Sequence, residues 1–541
     1  MNLIKKLFFN QIDSLASAAI VLGFFSLASK VLGLARDRIL YGTFGAGDEL
    51  DMYYAAFRIP DTIFNLLIIG ALSASFVPIL SKYFYRKEDA LAWKTINDVL
   101  NIFLFSVILG SLILAVFAPV LLKFIVPGWS GEKFEVTLTL TRIMLLSPIF
   151  LTVSSVAGAA LQSSKRFIMF AFAPVVYNAG IIIGAVFFVK SMGIYGLALG
   201  VILGSALHFL AQLPVLFSLG YKYKISFDLK NPDVRRIFKI MLPRTLSLGV
   251  NQINFFIITI FASLLASGSL SIFYLASNIH NIFFGLIGIS FSVAAFPALS
   301  AYLANGEKEK FTAVFSRTMR EIIFFIIPAT VFLIVFRSEI VHFIGGRGNI
   351  DYIATKSSLV FLALGLAAQS LVSQIVRTFW ALGDTKTPFY ASLFGLAANV
   401  GAATWFVFYS GFGVVGLAIA FSLTNIVNFF MLYFFLRRKI NYLDEARVVN
   451  SFVRIFAASL LGGSAVWFLA NLFPGDFDKM GGLALVARLT AGFIATALAF
   501  SFFAWIFHVR ELSMFVKAVK RRLVNIFATN VAEADGGSGK I

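Results

Sequence analysis

The sequence predicts an all-α polytopic membrane protein with about 14 transmembrane helices, arranged as two six-helix lobes in parallel repeat plus two C-terminal helices. Three observations predict this fold: the composition, the long apolar runs and an internal duplication. Of the 541 residues, 59% are hydrophobic and only 13% are charged, whereas a soluble domain carries about 25% charged residues. This composition excludes a soluble globular protein, a disordered chain and a coiled coil.

Fourteen apolar runs are long enough to cross a bilayer, because a helix needs about 20 such residues to span roughly 30 Å of hydrocarbon. The runs are too long and too uniformly apolar for membrane β-barrel strands, which have about 10 alternating residues each. Numbered in chain order, spans 1 to 14 cover residues 15–40, 51–81, 97–125, 137–161, 167–190, 194–219, 240–265, 271–302, 319–343, 356–381, 387–409, 413–436, 450–473 and 484–508. The first run continues through Leu34 with no small-residue cleavage site, so we expect a membrane helix there rather than a cleavable signal peptide.

The charges of the connections between spans predict the orientation of the chain. The even-numbered connections are basic and the odd-numbered ones hold only scattered cations, which the positive-inside rule expects when both termini are cytoplasmic. The basic residues of the even connections and the C-terminal end are Lys82, Arg86, Lys87, Lys94, Lys165, Arg166, Lys222, Lys224, Lys230, Arg235, Arg236, Lys239, Lys308, Lys310, Arg317, Lys386, Arg437, Arg438, Lys439, Arg447, Lys517, Lys520, Arg521 and Arg522. The net charge of +19 therefore indicates contact with an anionic leaflet and not with nucleic acid.

Three pairs of segments recur at nearly one offset. FVPILSKY (76–83) matches AFPALSAY (295–302), ALQSSK (160–165) matches ALGDTK (381–386), and GIYGLALG (193–200) matches GVVGLAIA (413–420). The repeat therefore contains six helices, and parallel repeats of this kind flank a central path with a site near mid-membrane. We expect an N-lobe at 1–221, a C-lobe at 222–440, spans 13 and 14 within 441–510, and a basic cytoplasmic tail at 511–541. The alternative is that the two halves serve only stability or assembly.

Ionisable residues inside the spans are the candidate functional residues, because a charge in mid-bilayer costs about 2.5–3.5 kcal/mol and usually faces a cavity or a partner. Five cations in the spans, which are Lys30, Arg36, Arg58, Arg244 and Arg377, face few acids. Such an excess suits an anionic ligand such as a pyrophosphate, whose oxygens a guanidinium binds in pairs. The candidate substrate-binding residues are Lys30, Arg36, Asp37, Asp51, Arg58, Arg244, Arg377 and Asn254. The two acids among them are expected to hold Lys30, Arg36 or Arg58 in place rather than to bind the ligand.

Other polar residues in the spans have a structural interpretation. Asn399, Asn425 and Asn428 are expected to bond neighbouring helices, and His280 is expected to be satisfied between helices. The chain has no Cys and four His, and it contains no HExxH, GxSxG or Walker A motif. We therefore expect no metal site, no cofactor and no ATP-driven pump. The run GGRGN (345–349) is interpreted as a turn.

The stretch SKVLGLARDRILYGTFGAGDELDMYYAAFRIPD (29–61), followed by GALSASFVPILSKY (70–83), resembles the start of the MurJ (MviN) family. That family belongs to the superfamily of MATE-type exporters and polysaccharide flippases. The stretches PRTLSLGVNQIN (243–254), FSVAAFPALSAY (291–302) and RTFWALGDTKTP (377–388) are similar too. The resemblance covers nearly the whole chain and implies MATE-like lobes in a bacterial cytoplasmic membrane. It also implies a flippase that moves lipid II, the undecaprenyl-pyrophosphate-linked peptidoglycan precursor, from the cytoplasmic to the outer leaflet.

By the same resemblance, Arg36, Asp37 and Asp51 match cavity positions of the family, and Lys30 replaces an Arg common there. The chain departs from the family where many members place two Arg, a Glu and a further Arg, which here are Phe64, Asn65, Ile69 and Asn278. The places of two Na⁺-binding carboxylates in spans 7 and 11 look like Ile258 and Ala403, so such a site is not expected. We take Arg58, Arg244 and Arg377 as candidates for the replacement charge.

The expected function is thus a lipid II flippase working by alternating access. Its expected partners are lipid II, membrane lipids and the cell-wall synthesis machinery. Two alternatives keep the fold: a flippase for another polyprenol-linked glycan, and a MATE-like drug or ion antiporter. An exporter of organic cations needs acidic residues in its cavity, and such residues are scarce in these spans. A third alternative is a membrane glycosyltransferase or ligase, which would usually show acidic or His catalytic residues in a sizeable loop. The last alternative is a non-transporting scaffold.

Overall fold

A computed structural model describes residues 11, 15–69, 76–346, 350–472, 475, 480–517 and 520 of the chain. Within these ranges the residues form helices joined by turns and short extended segments, with no β-strand. The predicted all-α class is therefore confirmed. Residues 347–349 of the GGRGN run and residues 521–541 of the basic tail lie outside the described ranges.

Spans 1 to 6 correspond to helices, several of them interrupted. Span 1 is Leu15–Phe44, and span 2 consists of Asp48–Ala56, Arg58–Ile63, a π-helical segment Phe64–Ile69, and Val77–Tyr85. Span 3 is Asp89–Ile125, span 4 is Gly131–Met144 with Ser147–Ser163, span 5 is Phe167–Ile183 with a π-helical Gly184–Phe188 and Val189–Met192, and span 6 is Ile194–Leu210 with Leu213–Ser218.

Spans 7 to 14 are less interrupted. Span 7 is Pro232–Ser263, and span 8 consists of Ser269–Phe283, a π-helical Phe284–Ile289 and Ser290–Ala304. Span 9 is Lys308–Val335 with Arg337–Gly345, span 10 is Tyr352–Ala381, and span 11 is Lys386–Thr404 with a π-helical Trp405–Tyr409. Spans 12, 13 and 14 are Gly413–Lys439, Glu445–Leu472 and Gly482–Ile506. The local sequence explains where span 7 starts. The helix begins at Pro232, and the Asn231 side chain accepts a hydrogen bond of 2.9 Å from the Asp233 N–H.

Eleven helices in the described part of the chain are long and apolar enough to cross a membrane. Spans 1, 2 and 7 are not among these eleven. They are the three spans with the densest charged and polar stripes, and span 2 is also broken into short helices. The membrane class is therefore confirmed, while the count of fourteen spans stays a prediction.

The π-helical segments repeat with the period of the sequence duplication. Phe64–Ile69 of span 2 corresponds to Phe284–Ile289 of span 8, and Gly184–Phe188 of span 5 corresponds to Trp405–Tyr409 of span 11. A π-helical turn widens a helix locally and is rare. Its return at equivalent places supports an internal duplication on grounds independent of residue identity.

Contacts along the chain divide the described residues into two compact units. The first comprises Met1–Leu275, Ile344–Thr355 and Ala403–Leu417, and the second comprises Ala276–Phe343, Lys356–Ala402 and Ala418–Ile541. The predicted lobe boundaries at residues 221 and 440 differ from this division and stay a prediction.

In the first unit, small residues let spans 5 and 6 approach closely. A Cβ on Gly180 would lie 2.3 Å from the Gly204 Cα, and a Cβ on Gly184 would lie 2.3 Å from the Gly200 Cα. Small residues at such crossings give membrane helices the close packing that holds them together. This crossing fixes span 5, which carries one of the polar residues discussed below.

In the second unit, two buried ion pairs fasten the last helices to span 9. Arg320 Nη1 lies 2.7 Å from Glu511 Oε1, and Arg488 Nε lies 3.0 Å from Glu339 Oε1. Two glycines of spans 13 and 14 also meet span 9 closely: a Cβ on Gly463 would lie 2.2 Å from Val331, and one on Gly492 would lie 2.3 Å from Phe336. Spans 13 and 14 therefore pack on span 9 along its length.

We expect Arg320→Ala to lower the thermal stability of the purified chain strongly, because breaking one partner of a buried pair costs about 3–5 kcal/mol. The double variant Arg320→Ala/Glu511→Ala should recover much of the loss, since no buried charge is left unpaired. Arg317→Ala is the matched control, because its pair with Glu321 is solvent-exposed and such i,i+4 pairs contribute only about 0.3–0.5 kcal/mol. Equal unfolding midpoints for Arg320→Ala and Arg317→Ala would contradict the fastening role.

Candidate functional site

The adjacent residues Arg36 and Asp37 of span 1 form a buried ion pair. Nε and Nη2 of Arg36 donate to the same Asp37 oxygen at 3.0 and 2.7 Å, and Asp37 is almost fully buried. Such charge-assisted hydrogen bonds are short and fix the plane of the guanidinium. Asp37 thus holds Arg36 in place, as expected from the sequence.

Asn178 of span 5, which is not among the residues predicted from the sequence, completes this cluster. Its amide oxygen accepts a hydrogen bond of 3.1 Å from Arg36 Nη1, and its amide nitrogen donates to Ser29 Oγ at 3.2 Å. A Cβ on Gly33 would lie 3.9 Å from the same amide oxygen, so Gly33 faces Asn178. The only signal in the sequence was an isolated amide inside a strongly apolar span.

Lys30 lies two helical turns before Asp37, on the helix face that carries Gly33. The side chain is half-buried, and within the described ranges it has neither a hydrogen bond nor an ion pair. Asp37 is engaged by Arg36 instead. Lys30 therefore contributes positive charge beside the Arg36 cluster without a neutralising acid among the described residues.

Arg58 of span 2 is buried between two aromatic rings. Its guanidinium carbon lies 5.3 Å from the centre of the Phe255 ring and 4.9 Å from that of Tyr274. Its Nε is buried without a hydrogen-bond partner. Asp61, one turn further along, interacts with Arg58 electrostatically, but no ion pair joins Arg58 to an acid among the described residues. Cation–π contacts contribute about 2 kcal/mol when desolvated, so the rings hold the cation in place of a paired carboxylate.

Stacked tyrosines adjoin this cation. The rings of Tyr54 and Tyr274 stack with centres 4.6 Å apart, and Tyr53 meets Tyr54 edge to face at 5.3 Å. Tyr274 and Phe255 were not predicted as site residues, because aromatic residues are common in every span and carried no distinguishing pattern.

Asp51 of span 2 has other partners than the expected cations. Its buried carboxylate accepts hydrogen bonds from the backbone N–H of Gly268 at 2.8 Å and of Ser271 at 2.7 Å. These groups belong to the start of span 8, where a negative charge stabilises the N-terminus of a helix. Lys133 lies 3.8 Å away and also pairs with Asp48. Asp51 therefore joins span 2 to span 8 rather than positioning Lys30, Arg36 or Arg58.

Two further contacts reinforce this junction. The Tyr41 hydroxyl of span 1 donates to the Ser271 carbonyl oxygen at 2.7 Å. Gly268 has a φ of +87°, and a Cβ there would lie 2.2 Å from the Ala46 carbonyl oxygen. Only glycine fits this backbone and this close approach. Spans 1, 2 and 8 are thus tied together at one end of the first unit.

The remaining predicted residues are Asn254, Arg377 and Arg244. Asn254 lies half-buried in span 7 of the first unit. Arg377 lies in the second unit, half-buried, and its Nη1 donates to the Ser373 carbonyl oxygen of its own helix at 3.1 Å. The side chains of Arg244, Ser247 and Asn251 lie outside the described part of the chain. Within that part, no group of three or more His, Asp or Glu residues is placed to hold a metal ion.

Comparison with known proteins decides the family. A family model described as "Lipid II flippase MurJ" matches residues 41–488. The chain belongs to the MurJ family. The resemblance noted in the sequence is therefore confirmed, and with it the assignment to a family of membrane transporters rather than enzymes. Peptidoglycan and cell-wall roles follow from the family.

Curated relatives in the MurJ family match along most of their length. A probable lipid II flippase MurJ of Haemophilus influenzae is 29% identical over 463 residues, covering 82% of this chain and 90% of the relative. A lipid II flippase MurJ of Burkholderia cenocepacia is 28% identical over 471 residues, covering 85% and 91%.

Solved structures show the same fold. A lipid II flippase MurJ in an inward closed conformation aligns with a TM-score of 0.73 and 23% identity, covering 90% of this chain and 99% of the other. An inward-facing multidrug resistance transporter of the MATE family aligns with a TM-score of 0.65 and 17% identity, covering 79% and 99%. The MATE-like architecture predicted from the sequence is thereby confirmed.

Proposed function

We propose that the chain moves lipid II from the cytoplasmic to the outer leaflet of a bacterial cytoplasmic membrane by alternating access. Membership of the MurJ family supports the cargo, which the names of its relatives state. The observation that carries the chemistry is the positive charge inside the spans that no ion pair neutralises: Lys30 without a described partner, and Arg58 held by aromatic rings.

In this proposal the pyrophosphate of the cargo binds to Lys30, Arg36, Arg58 and Arg244, while the prenyl chain stays in the lipid. Arg36 keeps a defined orientation because Asp37 and Asn178 engage its N–H groups. Phosphate oxygens prefer such a fixed, planar donor. Arg58 loses little on binding an anion, since its Nε has no hydrogen bond to give up.

Alternating access further requires that one end of the membrane path opens while the other closes. We propose that the N-lobe (1–221) and the C-lobe (222–440) alternate in this way. The junction of Asp51 with Gly268 and Ser271 is the fastening that must release at one end. Both termini are proposed to be cytoplasmic, and the cell-wall synthesis machinery is proposed as the partner that consumes the product.

An exporter of organic cations is disfavoured by the two acids of the candidate site. Such a cargo needs carboxylates that are free to pair with it, whereas Asp37 is engaged by Arg36 and Asp51 by two backbone N–H groups.

Native mass spectrometry of the purified full chain with added lipid II tests the binding step. We expect the unsubstituted chain to retain lipid II through detergent removal, and Lys30→Ala to retain at least fivefold less. Lys190→Ala is the matched control, because Lys190 is exposed at the end of span 5 and away from the cluster. Equal retention by Lys30→Ala and Lys190→Ala would overturn the phosphate-binding role of Lys30.

A further inference from the structure

The connection between spans 6 and 7 runs in an extended conformation along the first turns of span 3. We call residues 221–230 the strap. Four polar residues of span 3 line up at spacing i, i+3, i+4 and i+7 and face it. They are Lys94, Asn97, Asp98 and Asn101.

These side chains bind the backbone and hydroxyls of the strap one after another. Asn97 donates to the Lys222 carbonyl oxygen at 3.2 Å, and Asn101 donates to that of Lys224 at 2.9 Å. The Tyr221 hydroxyl donates to Asn97 at 2.8 Å. The strap is therefore fixed along its length, not only at its ends.

Asp98 and Lys94 hold the second half of the strap in the same way. The Ser226 hydroxyl donates to Asp98, whose carboxylate also accepts from the Asp228 N–H at 3.3 Å. Lys94 Nζ lies 2.9 Å from Asp228, and this pairing holds the pKa of the Asp228 carboxyl below its usual range. The one acid of the strap is thus already neutralised.

The strap alternates apolar or aromatic residues with polar ones, and the apolar side chains of its second half are exposed. Tyr221 is buried and the Tyr223 hydroxyl donates to Asn101 of span 3 at 2.6 Å, whereas Ile225, Phe227 and Leu229 are between 53% and 78% exposed. An alternating extended segment normally buries its apolar face. Because hydrogen bonds to span 3 fix the backbone, these side chains cannot turn inward.

The exposed apolar residues of the strap adjoin an exposed apolar face of span 3. The Phe227 ring meets Phe105 of span 3 with centres 6.4 Å apart. Phe105 begins the exposed apolar face of span 3, which continues with Leu109, Leu112, Val116, Val120 and Phe124. The strap therefore lies where that face ends, at the level at which aromatic side chains and lysines meet lipid headgroups.

The charge of the strap is uniformly basic once Asp228 is paired. Lys222, Lys224 and Lys230 are exposed, and within the described ranges none of them has an ion pair. Clustered lysines beside a membrane helix attract anionic lipids. Apolar and aromatic side chains combined with lysines are the composition of segments that lie in the interfacial plane.

We propose that the strap is an interfacial membrane anchor that binds anionic phospholipid headgroups. Ile225, Phe227 and Leu229 insert at the boundary of headgroups and acyl chains, and Lys222, Lys224 and Lys230 contact lipid phosphates. The anchor fixes the start of span 7 at the membrane surface, since Pro232 begins that helix directly after the strap. It is independent of the cargo that the spans carry.

The absence of native cysteine allows a clean test. Single variants Ile225→Cys and Lys224→Cys of the full chain are labelled with a nitrobenzoxadiazole fluorophore. They are reconstituted into vesicles of phosphatidylcholine alone or of phosphatidylcholine and phosphatidylglycerol mixed two to one. With shallow spin-labelled acyl chains as quenchers, we expect the label at 225 to be quenched at least threefold more than the label at 224. Soluble iodide should quench the two labels in the opposite order.

The lipid charge is tested on the same vesicles. Phosphatidylglycerol should increase quenching of the label at 225 at least twofold, and Lys222→Gln/Lys224→Gln/Lys230→Gln should remove that increase. Iodide quenching of the label at 225 equal to that at 224 would overturn insertion and point to a soluble protein or a second copy as the occupant of this face. Equal insertion in both vesicle types would contradict the proposed binding of anionic headgroups. Neither result affects lipid II binding.

Discussion

Arg36→Ala is expected to abolish complementation of a flippase-depleted bacterium while the protein still inserts into the membrane. Arg36 is the cation that the structure orients most completely, through two bonds to Asp37 and one to Asn178. Its removal takes a planar donor from the phosphate site and leaves Asp37 buried without its cation. Growth in a depletion strain, with membrane abundance measured on blots, checks the prediction.

The buried acid complicates this variant, because removing Arg36 from its pair with the Asp37 charge is itself destabilising by about 3–5 kcal/mol. The double variant Arg36→Ala/Asp37→Ala removes that charge and should restore thermal stability without restoring growth. Arg36→Lys keeps the charge but not the planar geometry, and it should support only poor growth. Normal growth of the double variant would show that phosphate binding does not depend on Arg36.

Asp51→Ala is expected to open the junction between spans 2 and 8. The change removes two charge-assisted hydrogen bonds, which contribute about 1.5–3 kcal/mol each. A difference of about 1.4 kcal/mol corresponds to a factor of ten in an equilibrium. Ser269→Cys introduces a single thiol at a buried position in the first turn of span 8. In the Asp51→Ala background, a membrane-impermeant maleimide should label this thiol at least tenfold faster.

Asp48→Ala provides the matched control for this experiment. Asp48 pairs with the same Lys133 but is half-exposed, and no described hydrogen bond joins it to Gly268 or Ser271. It should therefore leave the labelling rate nearly unchanged. A similar increase of the labelling rate by both variants would show that Lys133, and not Asp51, holds the junction together.

The fold was largely predictable from the sequence, because long apolar runs identify membrane helices. Each predicted span overlaps a helix in the described ranges. The π-helical segments were not predicted, since a widened turn has no composition that differs from the flanking helix. The boundaries of the two units also differ from the lobes predicted from the duplication, because residues 222–275, 344–355 and 403–417 belong to the first unit.

The candidate site was predictable only where partners are near in sequence. The pairing of Arg36 with Asp37 follows from adjacent positions on one helix. Asp51 bonds to groups that lie six spans further along the chain, and its partners are backbone N–H groups that no sequence pattern marks. Arg58 is held by rings rather than by an acid, so a search for opposite charges misses its surroundings.

A leaflet-resolved measurement of lipid II in living cells tests the central claim most directly. Lipid II exposed at the outer face is cleaved by an externally added enzyme, and the cleaved fraction is compared in depleted cells that carry this chain or its Arg36→Ala/Asp37→Ala variant. We expect that this chain restores cleavage and that the variant, present at equal abundance, leaves lipid II inside. Restored cleavage with the variant, or none with the unsubstituted chain, would contradict transport of a pyrophosphate lipid by these cations.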